Sequence, residues 1–314
     1  MMQVHTDISQ LPAFRNAVIT IGTFDGVHLG HRQIIDHLRS TAAGIDGESV
    51  IITFHPHPRV VVGSTQRMDL LTTMYERITL LGEQGVDHLV IIPFTEAFAA
   101  MPAAEYVEKF LVDHFHPKVL IIGYDHRFGK GRLGDYHLLE DLSARFGYAV
   151  REIPEQLLHE SAVSSTRIRE RLRSGDIAEA NAGLGYPYFL EGTVVHGDQR
   201  GRTIGFPTAN LQMNEPDKLV PADGVYVVSA SLTGTDGVVM QLNGMMNIGL
   251  RPTVDGKRRS IEVNLFHFDA DIYGSTMRVW FHHRLRDEKR FDSLDALKDQ
   301  LAEDGRKARE LLGL

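Results

Sequence analysis

The chain has 314 residues, 43% hydrophobic and 24% charged, with a formal net charge of −8; this length favours two domains and this composition excludes a disordered chain. The acidic balance excludes a general phosphate-backbone binder, so no nucleic-acid partner is expected, although a local cationic pocket stays possible. With no cysteine, disulfides and thiolate metal centres are ruled out, and a reducing cytoplasm is the expected compartment.

The first residues, MMQVHTDISQLPAF, lack a basic segment followed by an apolar run, so no secretory leader is expected. Strand-length apolar runs then follow at 17–22, 49–54, 88–93, 118–123 and 148–153, separated by amphipathic stretches near 30–43, 74–84, 103–115 and 135–146. Thr73 with Glu76 three positions on spells a capping box. The apolar runs fall far short of the ~20 residues of a membrane helix, so no membrane partner is expected. Near-continuous apolar strands between helices predict a doubly wound α/β domain with a parallel sheet, which binds ligands at the carboxyl ends of its strands.

Residues 164–184 read as a helical connection. Beyond about residue 185, short β-type segments (FLEGTVV, GVYVVSA, GVVMQLNGMMNI, SIEVNLFHF, MRVWFHH) follow one another between turn formers, which predicts an antiparallel barrel or sandwich. The tail has helical spacing through Leu294, Leu297 and Leu301, with Asp292 or Ser293 as its cap. The domains are therefore set at 1–184 and 185–314.

The most informative stretch is ITIGTFDGVHLGHRQII, residues 19–35. A strand ends at Gly22, Gly26 lies in a turn and a helix starts near Gly30, which lets backbone and helix-start N–H groups approach a phosphate. His28 and His31 stand at that point, where imidazoles can stabilise charge building on a phosphoryl group. Other readings of the pair are a simple turn cap, or a metal site completed by His55 and His57 of TFHPHPR. The metal reading lacks a carboxylate at ligand spacing. His55 and His57 are as well explained by a rigid proline-bounded loop. Two more segments join the same rim: GYDHRFGKGRLGD with Asp125, Arg127, Lys130 and Arg132, and SSTRIR with Ser164, Ser165, Thr166 and Arg167 at a helix start. Together they describe a site for a triphosphate.

The second dense stretch is HGDQRGRTIGFPTANL, residues 196–211. Gly197, Gly201 and Gly205 permit a tight loop round phosphates, with Arg200 and Arg202 as cations. After Pro207, Thr208 and Asn210 are two residues apart and project to one face of an extended segment. Their oxygens suit Mg²⁺, so both are candidate metal ligands. Glu262 is the candidate proton acceptor, although a strand Glu more often faces solvent. Glu288 and Asp304 read as surface charges.

The ordered runs GTFDGVHLGH, FHPHP, GYDHRFGKGRLGD and SSTRIR, followed by GRTIGFPTAN, GVYVV, NIGLRPT, the Glu262 strand and IYGSTMRVWFHHRLRDEKRF, resemble the prokaryotic bifunctional riboflavin kinase/FAD synthetases over nearly the whole chain. The resemblance implies an FMN adenylyltransferase domain in which the FMN phosphate attacks the α-phosphate of ATP. His28 and His31 would stabilise the transition state, and Gly22, Phe24 and Asp25 would line the nucleotide and flavin pocket. Asp125, Ser164, Thr166 and Arg167 would hold phosphates. It further implies a six-stranded antiparallel barrel with a C-terminal helix, transferring the γ-phosphate of ATP to the ribityl 5′-hydroxyl of riboflavin. There Thr208 and Asn210 would carry Mg-ATP and Glu262 would be the general base. FMN would be the intermediate and FAD the product, with riboflavin, FMN and ATP as partners. The sequence sets no oligomeric state. Two departures are visible: His126 stands where the family often has an aromatic residue, and Asn264 where it frequently has His. The competing readings are a nucleotidyltransferase of another substrate class and a non-catalytic flavin- or nucleotide-binding regulator.

Overall fold

A computed structural model describes residues 1–63, 68–123, 126–153, 163–197, 200–234, 237–253 and 256–314, with backbone alone at 200, 251–253 and 256–258. The chain divides into two compact units, Met1–Ser165 and Thr166–Leu314.

The first unit holds a six-stranded, wholly parallel sheet in the order β1-β4-β3-β2-β5-β6. Its strands are β1 (Gln3–His5), β2 (Val18–Ile21), β3 (Ser49–His55), β4 (His88–Pro93), β5 (Val119–Gly123) and β6 (Ala149–Ile153). Every residue of β2 is buried, which is why its sequence is apolar without alternation. Helix α1 (Leu29–Gly44) packs on β2 and β3 and buries Ile35 and Leu38. Ile19, Ile52, Val90 and Leu120 share another core with Val107, Phe110 and Leu139, from the helical run 103–115 and from α3 (Tyr136–Phe146). The chain order reverses between β2 and β5, so the loops leaving their carboxyl ends flank the crevice where such sheets hold ligands.

Three local features depart from the expected pattern. β1 is an additional strand, joined to β4 by parallel pairing and by a 3.1 Å contact between His5 Nε2 and His88 Nδ1. Burial, with His88 alongside, lowers the His5 imidazole below its ordinary value. The run 103–115 contains a π-helical stretch, Tyr106–Val112. The helical connection is broken at Gly175, whose φ of +80° is left-handed, into α4 (Ser165–Ser174) and α5 (Ile177–Leu184). The capping box is formed as expected at the start of α2 (Met74–Glu83): Glu76 N donates to Thr73 Oγ1, and Thr73 N donates to Glu76 Oε2.

The second unit is a closed antiparallel barrel in the order β10-β11-β8-β7-β12-β9. Its strands are β7 (Phe189–Val195), β8 (Ala209–Met213), β9 (Gly224–Thr233), β10 (Val239–Thr253), β11 (Gly256–Leu265) and β12 (Thr276–Arg286). Asn181 of α5 ties that helix to the barrel, donating to Phe281 O at 2.9 Å and accepting from Tyr188 N at 2.7 Å. By packing, α5 therefore falls with the second unit. The terminal helix α6 (Leu294–Leu312) is capped by Ser293 and lays Leu301, Ala308 and Leu312 on Val227, Met245 and Phe266.

Asp304 corrects the expectation of a surface charge: it is only 2% exposed. It sits on the apolar stripe of α6 between Leu301 and Ala308, where Arg286 Nη2 donates to it at 2.7 Å and Gln300 Nε2 at 2.8 Å. Such a carboxylate is stable only because it is paired, and removing one partner of a buried pair costs about 3–5 kcal/mol. Asp304→Ala is expected to lower unfolding stability by about 3 kcal/mol, since Arg286 can still reach water. Urea denaturation of the variant beside the parent checks this.

Candidate active sites

The first site is built on the turn joining β2 to α1. Phe24, Gly26 and Val27 have φ of +48°, +89° and +38°; two of these are non-glycine residues in the left-handed region, a strain of about 1–3 kcal/mol each that only a well-anchored turn sustains. Asp25 supplies the anchor. Its carboxylate accepts from Leu71 N (3.0 Å), Thr72 N (2.9 Å), Thr72 Oγ1 (3.0 Å) and Arg77 Nη2 (3.3 Å). The Asp25–Arg77 ion pair is almost wholly buried. Thr72 Oγ1 also accepts from Gly26 N, and Ser165 Oγ donates to Asp25 O at 3.0 Å. Asp25 therefore directs its carboxylate at the chain itself.

This turn delivers His28 to the N-cap of α1, where its Nδ1 accepts from His31 N at 3.3 Å. An imidazole accepting at Nδ1 carries its neutral-form proton on Nε2, so that nitrogen is its donor. The His28 and His31 rings stack at 3.7 Å, 16° apart, and the Phe24 ring stands 5.0 Å from His31. A Cβ at Gly30 would meet the His28 ring at 3.3 Å, and one at Gly22 would meet Phe24 at 3.1 Å. The glycines thus make room for these rings. The pair is brought together, and each reading of it as cap and as phosphate ligand uses a different ring edge.

His57 caps the short helix Pro58–Val61 by accepting from Arg59 N, while His55 at the end of β3 is exposed. Among the described residues no group of three or more His, Cys, Asp or Glu could hold a metal ion. Asp125 lies outside the described residues. Arg127 is exposed and paired with Asp135 at 2.6 Å; Asp135 caps α3, and the donated Leu138 N–H, with Arg127, lowers its carboxyl below the ordinary value. Ser164 is exposed at the end of the first unit, and Thr166 and Arg167 are exposed in the first turn of α4. Arg77 was not singled out from the sequence, though its place on the stripe of Leu80 and Leu81 marks a charge facing inward.

The second site lies where β7, β8 and β11 meet. Asn210 of β8 stands opposite Val195 of β7 and opposite Glu262 of β11. Directly opposed residues of antiparallel strands share a face, so Asn210 and Glu262 do so. Thr208, two residues before Asn210, donates from Oγ1 to Glu262 Oε2 at 3.4 Å. Glu262 is half-buried, and Ser260 Oγ donates to its Oε1 at 3.2 Å. Gly197 is placed so that a Cβ there would run into the Asn210 amide, and one at Gly201 would run into Phe206 O. Gly205 takes a φ of +84°, while Arg202, Gly205 and Pro207 are exposed. Asn264 donates to Pro207 O at 2.7 Å. Glu288 is exposed, as expected, with its carboxylate in the space a side chain at Gly249 would take.

A parallel sheet with a histidine-bearing turn at its reversal, joined to a barrel with a hydroxyl–amide–carboxylate cluster, defines a two-part transferase. Residues 11–167 match the family model described as FAD synthetase, and residues 184–312 match riboflavin kinase. The bifunctional riboflavin kinase/FMN adenylyltransferase of Escherichia coli strain K12 is 38% identical over 308 residues, covering 98% of this chain and 96% of that protein. The protein of the same description from Bacillus subtilis strain 168 is 36% identical over 298 residues, 93% of this chain and 91% of its own. A solved structure described as a macrolide-efflux protein from Streptococcus pneumoniae has a TM-score of 0.84 at 32% identity, covering 98% of both chains. The chain belongs to the bifunctional riboflavin kinase/FMN adenylyltransferase family. Among the described residues no helix is long and apolar enough to cross a membrane.

Proposed function

We propose that the barrel phosphorylates riboflavin to FMN with ATP, and that the parallel-sheet domain then adenylylates FMN with a second ATP, giving FAD and pyrophosphate. The observation that carries this is that each unit gathers its own polar set, His28 with His31 in one and Thr208, Asn210 and Glu262 in the other. In the first, the stacked imidazoles and the start of α1 face the phosphate chain, with Gly22 and Phe24 shaping the wall. His55, His57, Asp125, Arg127, Ser164, Thr166 and Arg167 bind nucleotide and flavin around it. Functional domains of 1–184 and 185–314 put these last residues with the adenylyltransferase. The competing readings lose ground because neither gives the second cluster a task.

In the kinase site, Glu262 takes the proton of the ribityl 5′-hydroxyl as it attacks the γ-phosphorus, and the bond to the β-phosphate oxygen breaks to release ADP. Gly197, Arg202, Gly205 and Pro207 shape the loop over the nucleotide phosphates. Thr208 Oγ1 and Asn210 Oδ1 are neutral oxygens that would hold Mg²⁺, a hard ion suited to such ligands. When bound, the ion neutralises charge on the phosphates. We place both reactions in the cytoplasm, consistent with a chain that has no cysteine.

Purified protein incubated with riboflavin and Mg-ATP is expected to yield FMN first and FAD later, resolved by chromatography. Unchanged riboflavin rejects the kinase assignment. Gly197→Ala pushes the Asn210 amide aside and is expected to raise the KM for ATP in riboflavin phosphorylation about tenfold or more, because an ångström of misplacement is costly at a reacting centre. Steady-state kinetics checks this, with conversion of supplied FMN to FAD unchanged.

A further inference from the structure

We infer that Ser260 and Asn264, flanking Glu262 on one face of β11, are positioning residues of the kinase: Ser260 sets the carboxylate, and Asn264 sets the Thr208–Asn210 segment opposite it. The inference rests on Glu262 being the proton acceptor. Residues 260, 262 and 264 lie at the two-residue period of a strand, so their side chains emerge on the same side. Each makes a different contact there. Ser260 Oγ lies 3.2 Å from Glu262 Oε1 and 3.4 Å from Gly249 O on the neighbouring strand. Glu262 Oε2 is met by Thr208 at 3.4 Å. The Asn264 amide donates at 2.7 Å to Pro207 O, the carbonyl immediately before Thr208.

The two carboxylate oxygens are therefore held by different segments, Oε1 by Ser260 of its own strand and Oε2 by Thr208, the residue just before β8. A glutamate carboxylate on three rotatable bonds sweeps a wide arc unless its oxygens are engaged. Ser260 fixes the plane of the group while leaving it the acceptor character a base needs. Register pairing of Gly249 with Ser260 places a second acceptor, Gly249 O, within reach of the same hydroxyl, whose one proton serves either that carbonyl or the carboxylate. Asn264 acts on the other partner. Pro207 lacks a backbone N–H and cannot anchor itself to the sheet through one, so its carbonyl is the handle by which β11 holds the segment. The amide at 264 is a hydrogen-bond donor that makes this contact directly.

The roles separate kinetically. Ser260→Ala is expected to lower kcat for riboflavin phosphorylation about tenfold, with KM for riboflavin and ATP within about twofold, the pattern of an interaction that matters in the transition state. Ser260→Thr, which keeps the hydroxyl, is expected to restore kcat to within about threefold of the parent. Asn264→Ala is expected to raise KM for ATP about fivefold with a smaller change in kcat, because it loosens nucleotide-side residues rather than the base. All three variants should convert supplied FMN to FAD at the parental rate, which reports a folded chain. Parental kcat in Ser260→Ala, or failure of Ser260→Thr to recover it, overturns the role of Ser260. An unchanged KM for ATP in Asn264→Ala overturns that of Asn264. Glu262→Gln measured alongside separates the two levels: if it phosphorylates riboflavin normally, the assignment of the base fails. If it is inactive while Ser260→Ala is normal, only the positioning inference fails.

Discussion

His28→Ala is expected to depress FAD formation from FMN by about 10²–10³-fold, the loss typical of removing one preorganised donor from developing charge, while FMN made from riboflavin accumulates. The expectation follows from the turn that carries His28. Asp25, Thr72 and Arg77 hold the backbone in a left-handed bend, and that bend puts the imidazole at the start of α1 with its Nδ1 committed to His31 N. The ring therefore has two roles, as cap and as phosphate ligand, and alanine removes both. The cap alone is worth about 1 kcal/mol, too little to account for a hundredfold loss of rate. The His28→Asn substitution separates the roles, because asparagine is among the best N-caps yet has no imidazole edge to offer. This variant is expected to melt with the parent and to lose adenylyl transfer with His28→Ala. If His28→Asn instead makes FAD normally, His28 serves the helix and not the chemistry.

Glu262→Gln carries the second large effect. Glutamine preserves the volume and can still engage Thr208 and Ser260, but it cannot accept the proton of a ribityl hydroxyl. Riboflavin phosphorylation is expected to fall by about 10²–10⁴-fold, the usual range for a positioned acid or base. Supplied FMN should still become FAD, since His28 and His31 belong to the other unit. A single chromatographic assay with either flavin as substrate reads both results. Joint loss of both conversions would contradict two independent sites.

Much of this arrangement is legible in the sequence because its signals are local. The strands at 18–21, 49–55, 88–93 and 119–123 are buried along nearly all their length, so apolar runs mark them without any knowledge of neighbours. His28 and His31 are three residues apart at one helix start, and Thr208 and Asn210 two apart where β8 begins. What escapes is fixed by partners distant in sequence. β1 has three residues and exists through β4, 85 positions away at the Gln3–His88 pair. Arg77 and Asp304 look like ordinary surface charges until Asp25 and Arg286 are placed beside them, although both fall on the apolar stripe of their helices. The contact of Asn264 with Pro207 needs the closure of the barrel, which no periodicity announces.

The Asp25–Arg77 pair has a consequence for how this family can diverge. Replacing either partner alone strands a charge away from water, at a cost of about 3–5 kcal/mol, a large share of the 5–15 kcal/mol that holds a typical domain together. A lineage drifting one substitution at a time meets a valley at both positions, so they are expected to be exchanged jointly or kept. The bend that presents the two imidazoles is thereby inherited as a block.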